Sequence, residues 1–199
     1  SGDFGTIMTG NIESFTEGKL SAMMALDPVD SMSIEDGRGE TKRTEGGLAY
    51  VSPSFNGLTV GVAGYALNGG AGQNSDFDAT DFYVSYSNNG LTVRASQESV
   101  EDTTATNADK ETTMIGVEYK MGDLTARVVD RDVDMNGTNQ DTSSLYYGVK
   151  YQMGANAVSL ERINEKSKLA SASMASGYAP VDATVFSVSH AMSKRTSVY

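Results

Sequence analysis

Asp132, Asp134 and Asn136, followed by Gly137, set oxygen ligands at alternate positions ahead of a glycine turn, the spacing with which a calcium-binding loop begins. The bidentate glutamate that closes such a loop is replaced by Ser143, and no helical pattern flanks the stretch. These three residues are therefore a weak calcium candidate, and the alternative is an acidic surface loop across 132–141. Covalent chemistry has less to build on. His190 is the single histidine and there is no cysteine, so thiolate metal sites, a Cys nucleophile and a His-based metal centre lack their parts. The expectation is a protein that is not an enzyme and needs no cofactor.

What remains is charge placed to steer. Residues 12–42 hold Glu13, Glu17, Asp27, Asp30, Glu35, Asp36 and Glu40 against Lys19, Arg38 and Lys42, a formal charge of −4. A second set, Arg94, Glu118, Arg127, Lys150 and Glu161, recurs on one side of successive alternating stretches. Overall the chain carries a net charge of −11, with a pI near 4.4. A phosphate-binding surface needs a basic field, so no nucleic-acid partner is expected.

The elements that must position these charges are strands. Helical periodicity is nearly absent, whereas a period of two recurs in runs of about eight to ten residues. It predicts strands near 4–10, 43–51, 58–66, 81–87, 90–99, 112–120, 123–131, 143–152, 156–164 and 182–191, with another beginning at Arg195. Short turns, such as Asn56-Gly57, Asn88 to Gly90, Met121 to Asp123 and Met153 to Asn156, alternate with long loops rich in Asp, Asn, Thr, Ser and Gly. Tyr50, Tyr86, Tyr119, Tyr151 and His190 each precede a short turn, so the chain reads as one hairpin repeated, an antiparallel meander.

Residues two apart share a side of the pleat. One face then carries Leu58, Val60, Val62, Phe82, Val84, Val93, Ile115, Val117, Val128, Tyr147, Val149, Leu160, Phe186 and Val188; the other carries small, hydroxylated and charged residues, including the five named above. A soluble sandwich would cover the apolar face with a second sheet. A transmembrane barrel would face it to lipid. About ten residues at roughly 3.3 Å each, tilted about 40°, span close to 25 Å, the height of a barrel's lipid-facing band. Aromatics at the short-turn end suit an interfacial girdle, and the alternation of short turns with long loops suits the two sides of an outer membrane.

Three stretches carry a family resemblance. DFGTIMTGN is similar to the strand that leads into the constriction loop of the trimeric general diffusion porins of Gram-negative bacteria. RTEGGLAYVSPSFNGLTVGVAGY resembles the pair that follows, with its S-P-x-F-x-G turn, and HAMSKRTSVY resembles a hairpin near the porin C-terminus. The resemblance implies an all-β antiparallel barrel of about sixteen strands, of which ten or eleven are present in residues 1–199, incomplete at both ends and lacking about five N-terminal strands and the last one. It implies that residues 11–42 are the inward-folded constriction loop, with Asp27, Asp30, Glu35 and Asp36 at the pore and Arg94, Glu118, Arg127, Lys150 and Glu161 lining the lumen. The implied function is passive diffusion of small hydrophilic solutes and ions across the outer membrane by a homotrimer in contact with lipid and lipopolysaccharide. Asn11 stands where the family commonly has Arg, so a cation preference is expected. The alternatives are a surface-displayed or soluble all-β adhesin or structural protein with acidic loops, and, further off, a barrel enzyme.

Overall fold

The computed structural model describes residues 2–26, 44–66, 77–101, 109–136, 141–167, 182–193 and 196–198. Eleven strands, β1 (Thr6–Ile12), β2 (Thr44–Val51), β3 (Leu58–Tyr65), β4 (Ala79–Asn88), β5 (Leu91–Val100), β6 (Lys110–Met121), β7 (Leu124–Met135), β8 (Thr142–Met153), β9 (Asn156–Ser167), β10 (Asp182–Ser193) and β11 (Thr196–Val198), form one sheet in chain order. Each pairs antiparallel with the next, and no ladder joins β1 to β11 among the described residues.

The short turns take the two forms whose twist matches that of the strands they join. Asn56-Gly57 and Asn89-Gly90 have positive φ at both residues (49° and 86°, 47° and 83°), the pattern of type I′ turns. Gly122 and Gly154 have φ of 58° and 60° at the first turn position only, the pattern of type II′. An Asn-Gly pair and a lone leading glycine thus each select their own hairpin.

Register shows that this sheet is strongly tilted. The row of paired residues Asn88, Leu91, Tyr119, Ala126, Val149, Leu160 and Phe186 begins at the turn end of β4. It lies two residues from the end of β6, four from the end of β8 and seven from the end of β10. Seven residues at about 3.3 Å, gained over six spacings of about 4.8 Å, give a tilt of about 40°, the value a closing barrel wall requires.

Strand bounds differ from those read in the sequence mainly where strands run on into polar loop sequence. β6 starts at Lys110 and β7 continues to Met135, because ladder pairs such as Thr113 to Asp132 and Glu111 to Asp134 extend past the apolar stretch. The faces divide as the alternation predicts. Phe186 is 69% exposed on the apolar face, while its neighbours Val185 and Ser187 turn to the other. The polar face is less uniform than its sequence suggests, since Met114, Val129, Tyr146 and Ile163 lie on it and are fully or almost fully buried.

Candidate functional site

The chain leaves β1 at Ile12, not at residue 11, and residues 13–26 cross the polar face. A turn of π-helix at Thr16–Leu20 is followed by a 3-10 turn at Ser21–Met23, the first closed by the Ser21 N–H donating to the Thr16 carbonyl. A five-residue turn brings Phe15 and Leu20 to one side, which an ordinary helix would splay. Phe15, Leu20, Met23, Met24 and Leu26 are all buried, whereas Lys19 and Ala22 are exposed on the far side. The apolar side rests on Tyr83, Met114, Val129, Tyr146 and Ile163, with the Phe15 and Tyr83 rings stacked at 5.5 Å between centroids.

Wall side chains grip this segment by its main chain. Asp81 of β4 accepts from the Phe15 and Thr16 N–H groups at 2.5 and 3.1 Å. Thr16 Oγ1 lies within hydrogen-bonding distance of Asp81 Oδ1 (3.2 Å) and Ser96 Oγ (2.9 Å). Arg94 Nη1 donates to the Lys19 carbonyl at 2.8 Å, and Arg127 Nη1 to the Ala25 carbonyl at 2.6 Å. Glu161 Oε2 accepts from the Leu26 N–H at 2.7 Å. Carboxylates therefore take the free N–H groups at the ends of the segment and guanidiniums take carbonyls between them. Each such charge-assisted bond contributes about 1.5–3 kcal/mol.

The gripping residues are themselves fixed from behind. Glu118 accepts from Arg127 Nε at 2.5 Å and pairs with Lys120 Nζ at 3.1 Å. Tyr146 Oη and Ser159 Oγ donate to the two oxygens of Glu161 at 2.9 and 2.8 Å. Arg94, Glu118, Arg127 and Glu161, read from sequence as lining residues, are thus brought together beneath the segment, where their charge is engaged with backbone or with each other. Lys150 lies on the same face, level with Thr125 and Ser159 and half-buried, with no ion pair among the described residues. Asp27, Asp30, Glu35 and Asp36 lie outside the described residues.

The calcium candidate takes a different form from the loop its spacing suggests. Asp132 and Asp134 belong to β7 and face the same side as Val128, while Asn136 follows the strand, its N–H donating to the Asp109 carbonyl at 2.9 Å. A strand holds alternate side chains parallel and about 7 Å apart, so it cannot wrap ligands around an ion. The two aspartates border an open groove of about 450 Å³ with Asp141, Ser143 and Lys166. Among the described residues no group of three or more His, Asp or Glu side chains could hold a metal.

Asp81 is the residue that sequence reasoning missed. Its signal was parity, since extending the FYVSYS alternation back by one residue puts an aspartate on the polar face. Glu98, buried opposite Asp81 with Lys110 Nζ at 3.7 Å, and the fully buried Arg131 follow the same parity.

An open, tilted antiparallel wall of this kind has counterparts among known proteins. Over residues 1–199 the sequence matches the model of the Gram-negative porins. The chain belongs to that family. Its structure is similar to an anion-selective porin from Comamonas acidovorans (TM-score 0.74, 18% identity, covering 99% of this chain and 62% of that one). It is also similar to a porin refined at 1.8 Å resolution (TM-score 0.65, 15% identity, 98% and 70%) and to the outer-membrane-expressed OmpT of Vibrio cholerae (TM-score 0.55, 15% identity, 97% and 64%). At these identities the likeness is one of fold, and the chain spans 62% of the first of these structures. No curated protein sequence matches. The fold is that of a transmembrane porin barrel, and its place is the outer membrane.

Proposed function

We propose that this porin chain supplies wall and constriction to a water-filled channel through which small hydrophilic solutes and ions diffuse passively, and that it works as a homotrimer embedded in lipid and lipopolysaccharide. The observation that carries this reading is residues 13–26 lying across the lumen face, held through their main chain by Asp81, Arg94, Arg127 and Glu161. A clasped segment narrows a pore without closing it, and selectivity then follows from width and from the charges left facing water. No step in this reading makes or breaks a covalent bond.

The ion preference we propose is for cations, and its source is specific. On the described lumen face of the strands, Asp81, Glu98, Glu118, Glu161 and Glu165 are offset by Arg94, Lys110, Lys120, Arg127, Arg131 and Lys150, and all five carboxylates are buried. The wall is therefore close to neutral or slightly basic toward water. The preference rests on Asp27, Asp30, Glu35 and Asp36, whose field is strengthened between low-dielectric walls. A porin of the same fold is anion-selective, which fits ion preference being a matter of such side chains and not of architecture.

The test is the reversal potential across a planar bilayer under a KCl gradient, for the parent protein and for a variant carrying Asp27→Asn, Asp30→Asn and Glu35→Gln. The parent is expected to prefer cations. The variant is expected to lose that preference or lean toward anions, because Lys19, Lys120 and Lys150 remain. Selectivity in the parent should fade with salt, as the Debye length falls from about 30 Å at 0.01 M to about 3 Å at 1 M. Anion preference in the parent would overturn the ion assignment, and a silent parent would overturn the channel itself.

A further inference from the structure

Of the glycines inside strands on the lumen face, three, Gly61 of β3, Gly116 of β6 and Gly148 of β8, lie under residues 13–26, at positions where glycine weakens a strand and offers nothing to pack. Backbone geometry does not require them, since positive φ occurs at other glycines and at none of these. Each lies instead under one apolar side chain of the clasped segment. A Cβ on Gly61 would stand 2.9 Å from Phe15 Cζ and 3.0 Å from its Cε2. On Gly116 it would stand 2.9 Å from Met23 Sδ; on Gly148 it would stand 3.1 Å from Leu26 Cδ1, but also 2.9 Å from Glu161 Cγ and 3.1 Å from Tyr146 Oη of the wall itself, so that glycine makes room for the wall as well as for the segment.

We infer that these glycines are sockets that set how far the segment stands off the wall, and hence the free width of the pore, an inference that rests on the channel reading above. The hydrogen bonds fix the segment's position along the wall, because they run from wall side chains to particular main-chain groups. The arginine and glutamate bonds do not fix its height, because those long side chains reach over a range of distances; only the short Asp81, which holds the Phe15 and Thr16 N–H groups, limits it at one end. Contact between side chain and bare backbone does fix it. Gly61 is the stiffest of the three: the Phe15 ring above it is stacked on Tyr83 and its own N–H is held by Asp81, so it cannot turn aside. Met23 over Gly116 has a flexible end and yields more readily.

The experiment uses full-length protein extracted from outer membranes and read in planar bilayers for single-channel conductance and for the size of neutral polymer excluded. Gly61→Leu is expected to lift the segment into the lumen and lower both. Adding Phe15→Ala to Gly61→Leu is expected to return both toward the parent values, since the volume added to the wall is removed from the segment. Should Gly61→Leu fail to assemble, assembly of the double variant with near-parental conductance supports the same contact. Gly61→Leu indistinguishable from the parent, or a double variant no better than Gly61→Leu alone, overturns the socket assignment. A parent that conducts nothing overturns the channel reading instead, so the two failures are told apart by the parent trace.

Discussion

Val117 and Glu118 are joined by a peptide bond and live under opposite rules. The valine is 38% exposed on the apolar face and the glutamate 9% exposed on the polar face. The same inversion holds across the wall, with Phe186 at 69% and Arg131 at 0%. In a protein surrounded by water the apolar member of each pair would be inside. Here the outer solvent is hydrocarbon, so apolar exposure costs nothing there. The polar face is partly buried by a segment of its own chain that brings main-chain groups to Asp81, Arg94, Arg127 and Glu161. Polarity and burial are separate quantities, and each face satisfies its own solvent.

The comparison is most readily broken by moving one charge across one strand. Val117→Arg places a guanidinium toward lipid, at a cost of about 2–4 kcal/mol near the bilayer midplane, and should sharply reduce the folded, heat-modifiable species recovered from membranes. Thr125→Arg, on the lumen face of β7, should assemble as the parent does. Equal yields for the two would show that the faces are misassigned.

A smaller effect is expected within the lumen face. Asp81→Ala leaves the Phe15 and Thr16 N–H groups without their acceptor, at about 1–3 kcal/mol for each buried donor left unsatisfied. Yield should hold while the segment loosens, seen as added noise in the single-channel current and faster proteolysis within residues 13–26. A current trace as quiet as the parent's would mean that Asp81 is dispensable to the grip.

The smallest change is predicted on the outer face beyond the apolar band. Asp132→Ala combined with Asp134→Ala should shift stability by no more than about 0.5 kcal/mol, with calcium and EDTA giving the same thermal unfolding temperature. A calcium-dependent shift in the parent, abolished by the double substitution, would restore the loop reading of residues 132–141.

The sheet was legible because its signals are local. Alternation marks each strand, and Asn-Gly or a leading glycine marks each short turn, so the strands and their faces follow from neighbours in sequence. The partners of the polar-face charges were not legible, because Arg94 and Lys19 are 75 residues apart and Arg127 and Ala25 are 102 apart. Parity says that Arg127 faces inward; it does not say that a carbonyl waits there. Gly61, Gly116 and Gly148 were visible as small residues on the polar face, and their purpose appears only once Phe15, Met23 and Leu26 are set above them. The calcium spacing was weak in the sequence for want of a closing glutamate, and the register adds a second reason against it. A ligand pattern read along the chain assumes a loop, and ladder pairing with β6 made it a strand.

The wall recognises residues 15–26 at Lys19 and Ala25 through their carbonyls alone. Lys19 and Ala22 present exposed side chains, and Ala25 a partly exposed one, that the clasp never touches. The site therefore behaves as a mounting rail whose fittings can be exchanged. Substituting at these three positions should retune the channel's chemistry with little retuning of the scaffold, which makes them natural places for evolution, or an engineer installing a designed filter, to begin.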